Sequence, residues 1–349
     1  MTRACSKVVA WSPDQAIIRY APTRWCFTVL AALLVGVLVS RGRVSDDGKK
    51  VVSKPDKLTE KASNNLPQGS WKQSDTEKVN LVRFEPSRMI QVRDGELRFV
   101  RVVYQDERIF RLGIGGSKEP LGKLRVEKDA LFFEDSAGKK HRFERLVKDP
   151  PELKLVSVKM AEAKSVDRKK VQDVQRELAS REKVGVKLRQ EFRAASKGNA
   201  KRAGNIKEMV NADADDTRFL IDLIKEIGWI DSGRFGYAAQ ESAFLILMHT
   251  ANPSLKEAAL PTLKKEVLAG RFDAESYAGL YDRYCFQVCL PDRYGMHVSP
   301  DATGQLVVGP LEDRARVDEF RKEIGLGPLA KYLERYKEEN GGKAVRILD

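Results

Sequence analysis

Between residues 71 and 146 the apolar positions recur every second residue. The segments "LRFVRVVY" (97–104), "RIFRLGI" (108–114), "GKLRVEKDALFFED" (122–135) and "KKHRFERL" (139–146) set β-branched or aromatic side chains beside Arg and Lys. Turn-forming stretches separate them: "RDGE", "QDE", "GIGGSKEP" and "DSAGKK". Several short strands at this spacing predict an antiparallel sheet or small barrel over residues 71–150. Beyond "KDPPELK" the period lengthens to three and four. Val171, Val174 and Leu178, then Val184, Leu188 and Phe192, form one narrow apolar stripe under a strongly basic face. That pattern predicts a basic helical connector over 151–204, packed by one side on the next domain or projecting as a stalk.

Residues 205–349 predict an α-rich domain. In "ADADDTRFLIDLIKEIGW" the Asp and Thr residues offer a helix start, Phe219, Leu220, Leu223, Ile224 and Ile227 one apolar face, and Gly228 a stop. "ESAFLILMHTANP" follows as a second helix ended by Asn252-Pro253. A third runs from Ser254 towards Leu268 with Pro261 inside it, where a kink or break is expected. Asp273 caps a fourth. Val298 and Leu306 to Val308 are placed to pair as one short hairpin across "PDATG", and two short helices split by "GLGP" close the chain. The fold class expected is therefore α+β and multidomain.

The N-terminus changes the picture of location. Arg3, Lys7, Arg19 and Arg24 make residues 1–24 a basic region, followed by the uncharged run "WCFTVLAALLVGVLVS" at 25–40 and then "RGR". This is the order of an export signal. No small-residue cleavage site follows, so the expectation is an uncleaved signal anchor in a bacterial inner membrane, with the bulk of the chain extracytoplasmic. Secretion after cleavage is the alternative. Residues 41–70 are rich in Lys, Ser and Asp and read as a flexible spacer.

Of the 349 residues, 32% are charged, with a formal net charge of +13. That balance favours acidic partners: anionic envelope polymer, lipid or an acidic protein surface. Nucleic acid is disfavoured by the expected export. A basic balance also serves solubility alone. No nucleotide-binding, hydrolase-elbow or metalloprotease motif occurs, and no cofactor is expected. Gly113, Gly115 and Gly116 lie between strands with no helix after them, which does not suit a phosphate cradle.

Candidate chemistry gathers in the last third. His249 ends the apolar stretch, Arg283 comes late in a later helix, and Tyr294 and His297 follow in "DRYGMHV". Together they offer an imidazole base and a guanidinium to hold an anion. The plain alternative makes His249 a satisfied core or capping group, Tyr294 a packed aromatic and Gly295 a turn. In that reading Arg283 pairs with Asp273, Glu275 or Asp282. A metal site would need His249 and His297 joined by Cys285 and Cys289. The cysteines, four apart, equally suit buried small hydrophobes. Cys5 and Cys26 fall in the anchor region, and His141, alternating with Phe143 in its strand, suits a structural or surface role.

Two resemblances add to this. Trp71 followed by strands ending in "KDALFF" resembles the small lipocalin-like β domains of exported bacterial proteins. "VNADADDTRFLIDLIKEIGW", "ESAFLILMHTANP", "DRYGMHV" and "LEDRARVDEFRKEIGLGPLAKYL" together resemble a bacterial family known only as a domain of unknown function. His249, Arg283, Tyr294, Gly295, Asp313, Gly325 and Pro328 match its pattern, whereas Met248 and His297 stand where relatives carry Gln. The resemblance implies an α-rich domain and brings no activity. The function expected is a membrane-anchored binding module of the cell envelope. The alternative is an envelope hydrolase or transferase using His249 with Arg283 and Tyr294.

Overall fold

The computed structural model describes residues 67–348 apart from 78, 94, 106, 114–117, 196–199 and 302, and leaves the side chains of 200–203 undescribed. The basic region, the anchor at 25–40, most of the spacer, Cys5, Cys26, Gly115 and Gly116 lie outside the described residues. Among the described residues no helix is long and apolar enough to cross a membrane.

Eight antiparallel strands make a closed barrel: β1 (Gly69–Gln73), β2 (Leu81–Glu85), β3 (Arg88–Arg93), β4 (Glu96–Gln105), β5 (Arg108–Leu112), β6 (Lys118–Glu127), β7 (Ala130–Asp135) and β8 (Lys140–Arg145). Each strand pairs with its neighbour in sequence, and β1 closes the ring on β8 through Trp71 opposite Arg145. The alternation sorts side chains by face. Trp71, Val82, Phe84, Val102, Ile109, Leu124, Leu131 and Phe143 form one buried cluster. Residues of opposite parity, Leu81, Ile90, Val92, Leu97 and Phe99, form a second cluster with Leu153. A 3-10 turn at Pro151–Leu153 supplies that leucine. Gly122 permits the close approach of β6 to β7, because a Cβ there would stand 2.1 Å from the Glu134 carbonyl oxygen. His141 sits between Gln73 (3.1 Å) and Asp135 (3.3 Å) and stacks on Phe133.

Seven helices follow among the described residues: α1 (Arg168–Ala194), α2 (Ala200–Ile227), α3 (Ser232–His249), α4 (Pro253–Leu268), α5 (Ala274–Gln287), α6 (Val317–Glu323) and α7 (Leu329–Glu339). The short strands β9 (Val298–Pro300), β10 (Leu306–Val308) and β11 (Val345–Ile347) make a small sheet in the order β11-β10-β9. The expected hairpin is present, with Val308 opposite Val298, and β11 adds a parallel third strand. Val174 and Leu178 of α1 share one core with Leu220 and Ile224 of α2, Phe244 and Leu247 of α3, and Leu263 of α4. The basic helix is thus packed into the helical domain rather than projecting as a stalk.

Three local expectations are corrected. The helix expected to start at Asp213–Thr217 begins at Ala200. Those polar residues sit mid-helix because Thr217 bonds back to the Asp213 carbonyl (2.6 Å) while Asp213 and Asp216 pair with Arg189 and Arg181 of α1. Thr250 caps the end of α3, and Asn252 opens α4 by accepting the Leu255 N–H, with Pro253 at the first helical position. Pro261 does not break α4, because its ring lies on the exposed side, where water can serve the carbonyl left without a donor.

Candidate functional site

The chemistry converges on the C-terminal end of α3. A helix end leaves carbonyls unpaired and carries partial negative charge, so it draws donors and cations. Here the Thr250 carbonyl accepts from the Lys256 ammonium and from Gln287 Nε2 at 3.1 Å. The Thr217 and Thr250 hydroxyls are hydrogen-bonded at 2.8 Å, linking α2 to the same point. Lys256 is fully buried although it is a lysine. It lies on the stripe Lys256, Leu260, Leu263 and Val267, whose other members are core residues.

Around this floor stand groups from three helices. Arg189 of α1 bonds Asp213 of α2 at 2.5 Å and the Gly185 carbonyl at 3.0 Å. Arg193 follows one turn later and is exposed. Arg283 of α5 lies one turn before Gln287 and is half-buried. His249 forms a partly exposed wall beside Thr250. Its imidazole is held well below the ordinary histidine range, first by burial and then by the charges of Arg189, Arg283, Lys256 and Arg193. Burial and Arg283 likewise push the Lys256 ammonium down, against the pull of Asp213. Asp213 is raised by its own burial, which outweighs Arg189 beside it. His297 is pushed down to about 3 by burial, Arg283 and Arg101. Its ring packs 4.4 Å from that of Phe286.

Of the four residues singled out from sequence, Arg283 acts electrostatically on both His249 and His297. Tyr294 stands elsewhere. It is buried against Tyr277 and Tyr281, with ring centroids 6.0 and 5.4 Å away. Its loop is held by Asp282, whose carboxylate accepts the N–H groups of Arg293 (2.9 Å), Tyr294 (3.0 Å) and Met296 (2.7 Å). Arg321, almost fully buried, grips the loop from the other side through the Tyr294 carbonyl at 2.7 Å. Gly295 takes φ +68° there, and a Cβ would meet Leu329 at 2.8 Å. The "YDRY" and "RYGM" motifs are in this respect a latch built on Asp282, while Arg283 beside it acts on the His249 and His297 imidazoles. Of the acids proposed for Arg283, Asp273 accepts from Ser276 and Glu275 pairs with Arg335.

Asp292 lies near Asp282, and burial and the charge of Asp282 raise its proton affinity. Asp282 reaches about 6 despite its three N–H donors. Cys285 is buried, its thiol pushed up by burial and by both aspartates, and neither it nor Cys289 is in a disulfide. Among the described residues no group of three or more His, Cys, Asp or Glu is close enough to hold a metal, so His249, His297, Cys285 and Cys289 do not assemble as a zinc set.

The barrel also reaches this region. Arg88 and Arg101 are directly opposed across β3 and β4, an unfavourable pairing of like charges. Both guanidinium groups are turned to the end of α5: Arg88 donates to the Val288 carbonyl at 2.6 Å and Arg101 to the Leu290 carbonyl at 3.1 Å. Sequence reasoning passed over Arg189, Arg193, Lys256, Asp213 and the barrel arginines. A lysine on an apolar stripe was a readable signal for Lys256, whereas the others depend on pairings far apart in the chain.

No curated protein and no solved structure matches the chain. Its helical part, however, matches a family of unknown function (DUF6624) over residues 172–346, from the first turns of α1 through the latch to β11, and the chain belongs to that family.

Proposed function

We propose that this protein is a membrane-tethered binding module of the bacterial cell envelope, with the helical domain as its recognition part. The observation that carries the reading is the set of cations at the end of α3, where Arg189, Arg283, Lys256 and Arg193 all act on the His249 imidazole. Positive charge gathered from several helices favours an acidic partner. The net charge of +13 draws such a partner to the surface. The basic-apolar-basic order of residues 1–43 supports the tether and the extracytoplasmic side.

The test of location is a pair of reporter fusions after residue 60, one active only outside the cytoplasm and one only within it. Activity of the exported reporter is expected; activity of the cytoplasmic one alone removes the envelope reading.

A second reading is favoured by His249 itself. An imidazole kept neutral beside Arg283 suits a general base next to an anion holder, as in a hydrolase or transferase. In that reading Tyr294 supports the latch rather than touching substrate. His249→Ala tests whether the imidazole acts or only packs. A loss of function in cells with an unchanged melting temperature gives it an active role. A fall in melting temperature with no separate defect favours a core role for the imidazole.

A further inference from the structure

We propose that the outer wall of the barrel between β5 and β8 binds an acidic polysaccharide, seated in the groove where β5 and β6 fall out of register. This goes beyond the reading above, which places recognition in the helical domain, and it rests on neither that assignment nor the tether.

The groove comes from an interruption in the barrel. Ile109 pairs with Gly122 and Phe110 with Pro120, so Leu121 is one residue too many for β5 and the ladder bulges there. Pro120 has no N–H to give the ladder and is tolerated at such a break. Beside the bulge lies a cavity of about 410 Å³, and Arg108, Phe110, Pro120, Gly122, Lys123 and Glu134 line it.

Charge on this wall is laid out in two rows across the strands. Arg108 of β5 stands opposite Lys123 of β6, Lys123 opposite Glu134 of β7, and Glu134 opposite Lys140 of β8. The next row runs Arg125, Phe132, Arg142. These residues alternate with Ile109, Leu124, Leu131 and Phe143 of the buried cluster and so belong to the outer face. Arg108, Lys123, Arg125, Lys140 and Arg142 are exposed, and Phe110, Phe132 and Glu134 are half-buried. On the outer side of β2 and β3, by contrast, Leu153 packs on Leu81, Ile90 and Val92.

Like charges set directly opposite each other cost stability, as Arg108 and Lys123 do. The nearby acids leave the excess in place. Asp135 is taken up by the N–H groups of Ala137 and Lys139 and by His141, and Glu127 by Arg125 at 2.9 Å. Among the described residues Arg108, Lys123, Lys140 and Arg142 enter no ion pair.

Sheet geometry sets these cations ~5 Å apart across the wall and ~7 Å along it. That grid suits a chain bearing repeated negative charge better than one small anion. Two further features choose among polyanions. Phe110 and Pro120 offer apolar faces to the C–H side of a sugar ring, and Phe132 carries Arg125 at 5.6 Å from its centroid. The Glu134 carboxylate, an acceptor only, sits in the groove among the cations. It calls for hydroxyl donors, which sugar rings supply and a DNA backbone does not.

The experiment is calorimetric titration of the full-length protein in neutral detergent with oligogalacturonate, at low and constant ionic strength. Saturable binding is expected, with the methyl-esterified, uncharged oligomer about tenfold weaker or more. Oligothymidylate of equal charge is expected to bind more weakly than oligogalacturonate. Arg108→Gln combined with Lys123→Gln, both at exposed positions, is expected to weaken binding about tenfold at an unchanged melting temperature. Glu134→Gln keeps the side chain's size and removes its charge. It is expected to tighten oligothymidylate binding without tightening that of oligogalacturonate.

No saturable binding up to ~1 mM oligogalacturonate overturns the proposal. So does equal binding of the esterified oligomer, tighter binding of oligothymidylate, or a folded double variant that keeps the unsubstituted affinity. A Glu134→Gln protein that binds oligogalacturonate more tightly overturns the choice of a sugar. Binding that Arg193→Ala weakens and the barrel substitutions do not belongs to the helical domain; that result overturns this proposal and leaves the reading above standing. A cytoplasmic reporter result leaves the titration as it is.

Discussion

Inside the barrel the buried cluster is Trp71, Val82, Phe84, Val102, Ile109, Leu124, Leu131 and Phe143, with no charged group in it. Inside the helical domain Lys256, Asp282, Asp292 and Arg321 are each at most 2% exposed. Hydrocarbon packing stabilises without needing partners, whereas each buried charge must find compensating bonds or shift its proton equilibrium. A region that keeps four such groups is giving up stability that leucine would supply. Local departures of this kind concentrate where a protein acts. The barrel is built on hydrocarbon packing, and the helical domain gives some of that packing up.

The comparison breaks most visibly at Trp71. Replacing this fully buried side chain with Ala is expected to cost about 3–5 kcal/mol, read as a large fall in the barrel's melting transition. If the helical domain's near-ultraviolet signal at low temperature falls with it, the two regions are not independently stable. Asp282→Ala leaves three buried backbone donors without an acceptor and is expected to cost about 3 kcal/mol by chemical denaturation. An unchanged midpoint would mean that the 293–296 loop is held by Arg321 alone. Truncating Arg88 and Arg101 together is expected to cost about 2 kcal/mol, less than two such bonds alone would suggest, because the like-charge opposition across β3 and β4 goes with them.

Lys256→Met sharpens the contrast in the opposite direction. The methionine fits the apolar stripe, so stability is expected to rise by about 1 kcal/mol. A loss of stability would reduce Lys256 to a cap for α3.

The smallest effect is the pH dependence, because two sets of groups oppose each other. His249 and His297 have folded pKa values below the unfolded one of about 6.5. Their contribution is full above that pH and is lost as pH falls, since the unfolded chain takes up protons that the native rings refuse. Asp282, raised to about 6, does the reverse: its contribution is full below the unfolded value of 3.8 and is lost as pH rises through 6. Between roughly pH 4 and 6 stability should therefore still fall on acidification, but less steeply than the two histidines alone would make it. In Asp282→Asn the histidines act with less opposition, and stability is expected to fall more steeply on acidification below pH 6.5. A parallel pair of curves would remove Asp282 from the balance.

Much of the scaffold was legible in the residues. Strict alternation from Leu97 onward marked strands, Asp273 announced a helix start, and "PDATG" marked a hairpin. Barrel closure was not legible, because it depends on β1 meeting β8 some seventy residues away, a distance that a local period does not encode. The long α2 was hidden for a related reason. Its Asp and Thr residues favour caps and turns locally, and only their arginine partners on α1 hold them mid-helix. The site divides in the same way. His249 and Arg283 stood out by residue type, and Lys256 was visible as a charge on an apolar stripe. Asp213 and Arg189 had to be brought together by the fold.

The two barrel arginines that clasp the carbonyls of Val288 and Leu290 carry one further consequence. They make the barrel a bearing for α5, the helix that carries Arg283, Gln287 and the latch aspartate. Linkage makes any such mechanical joint two-way. A shift of α5 tightens or slackens the barrel's seat, and whatever changes the barrel's hold on those two carbonyls restrains or frees α5 in return.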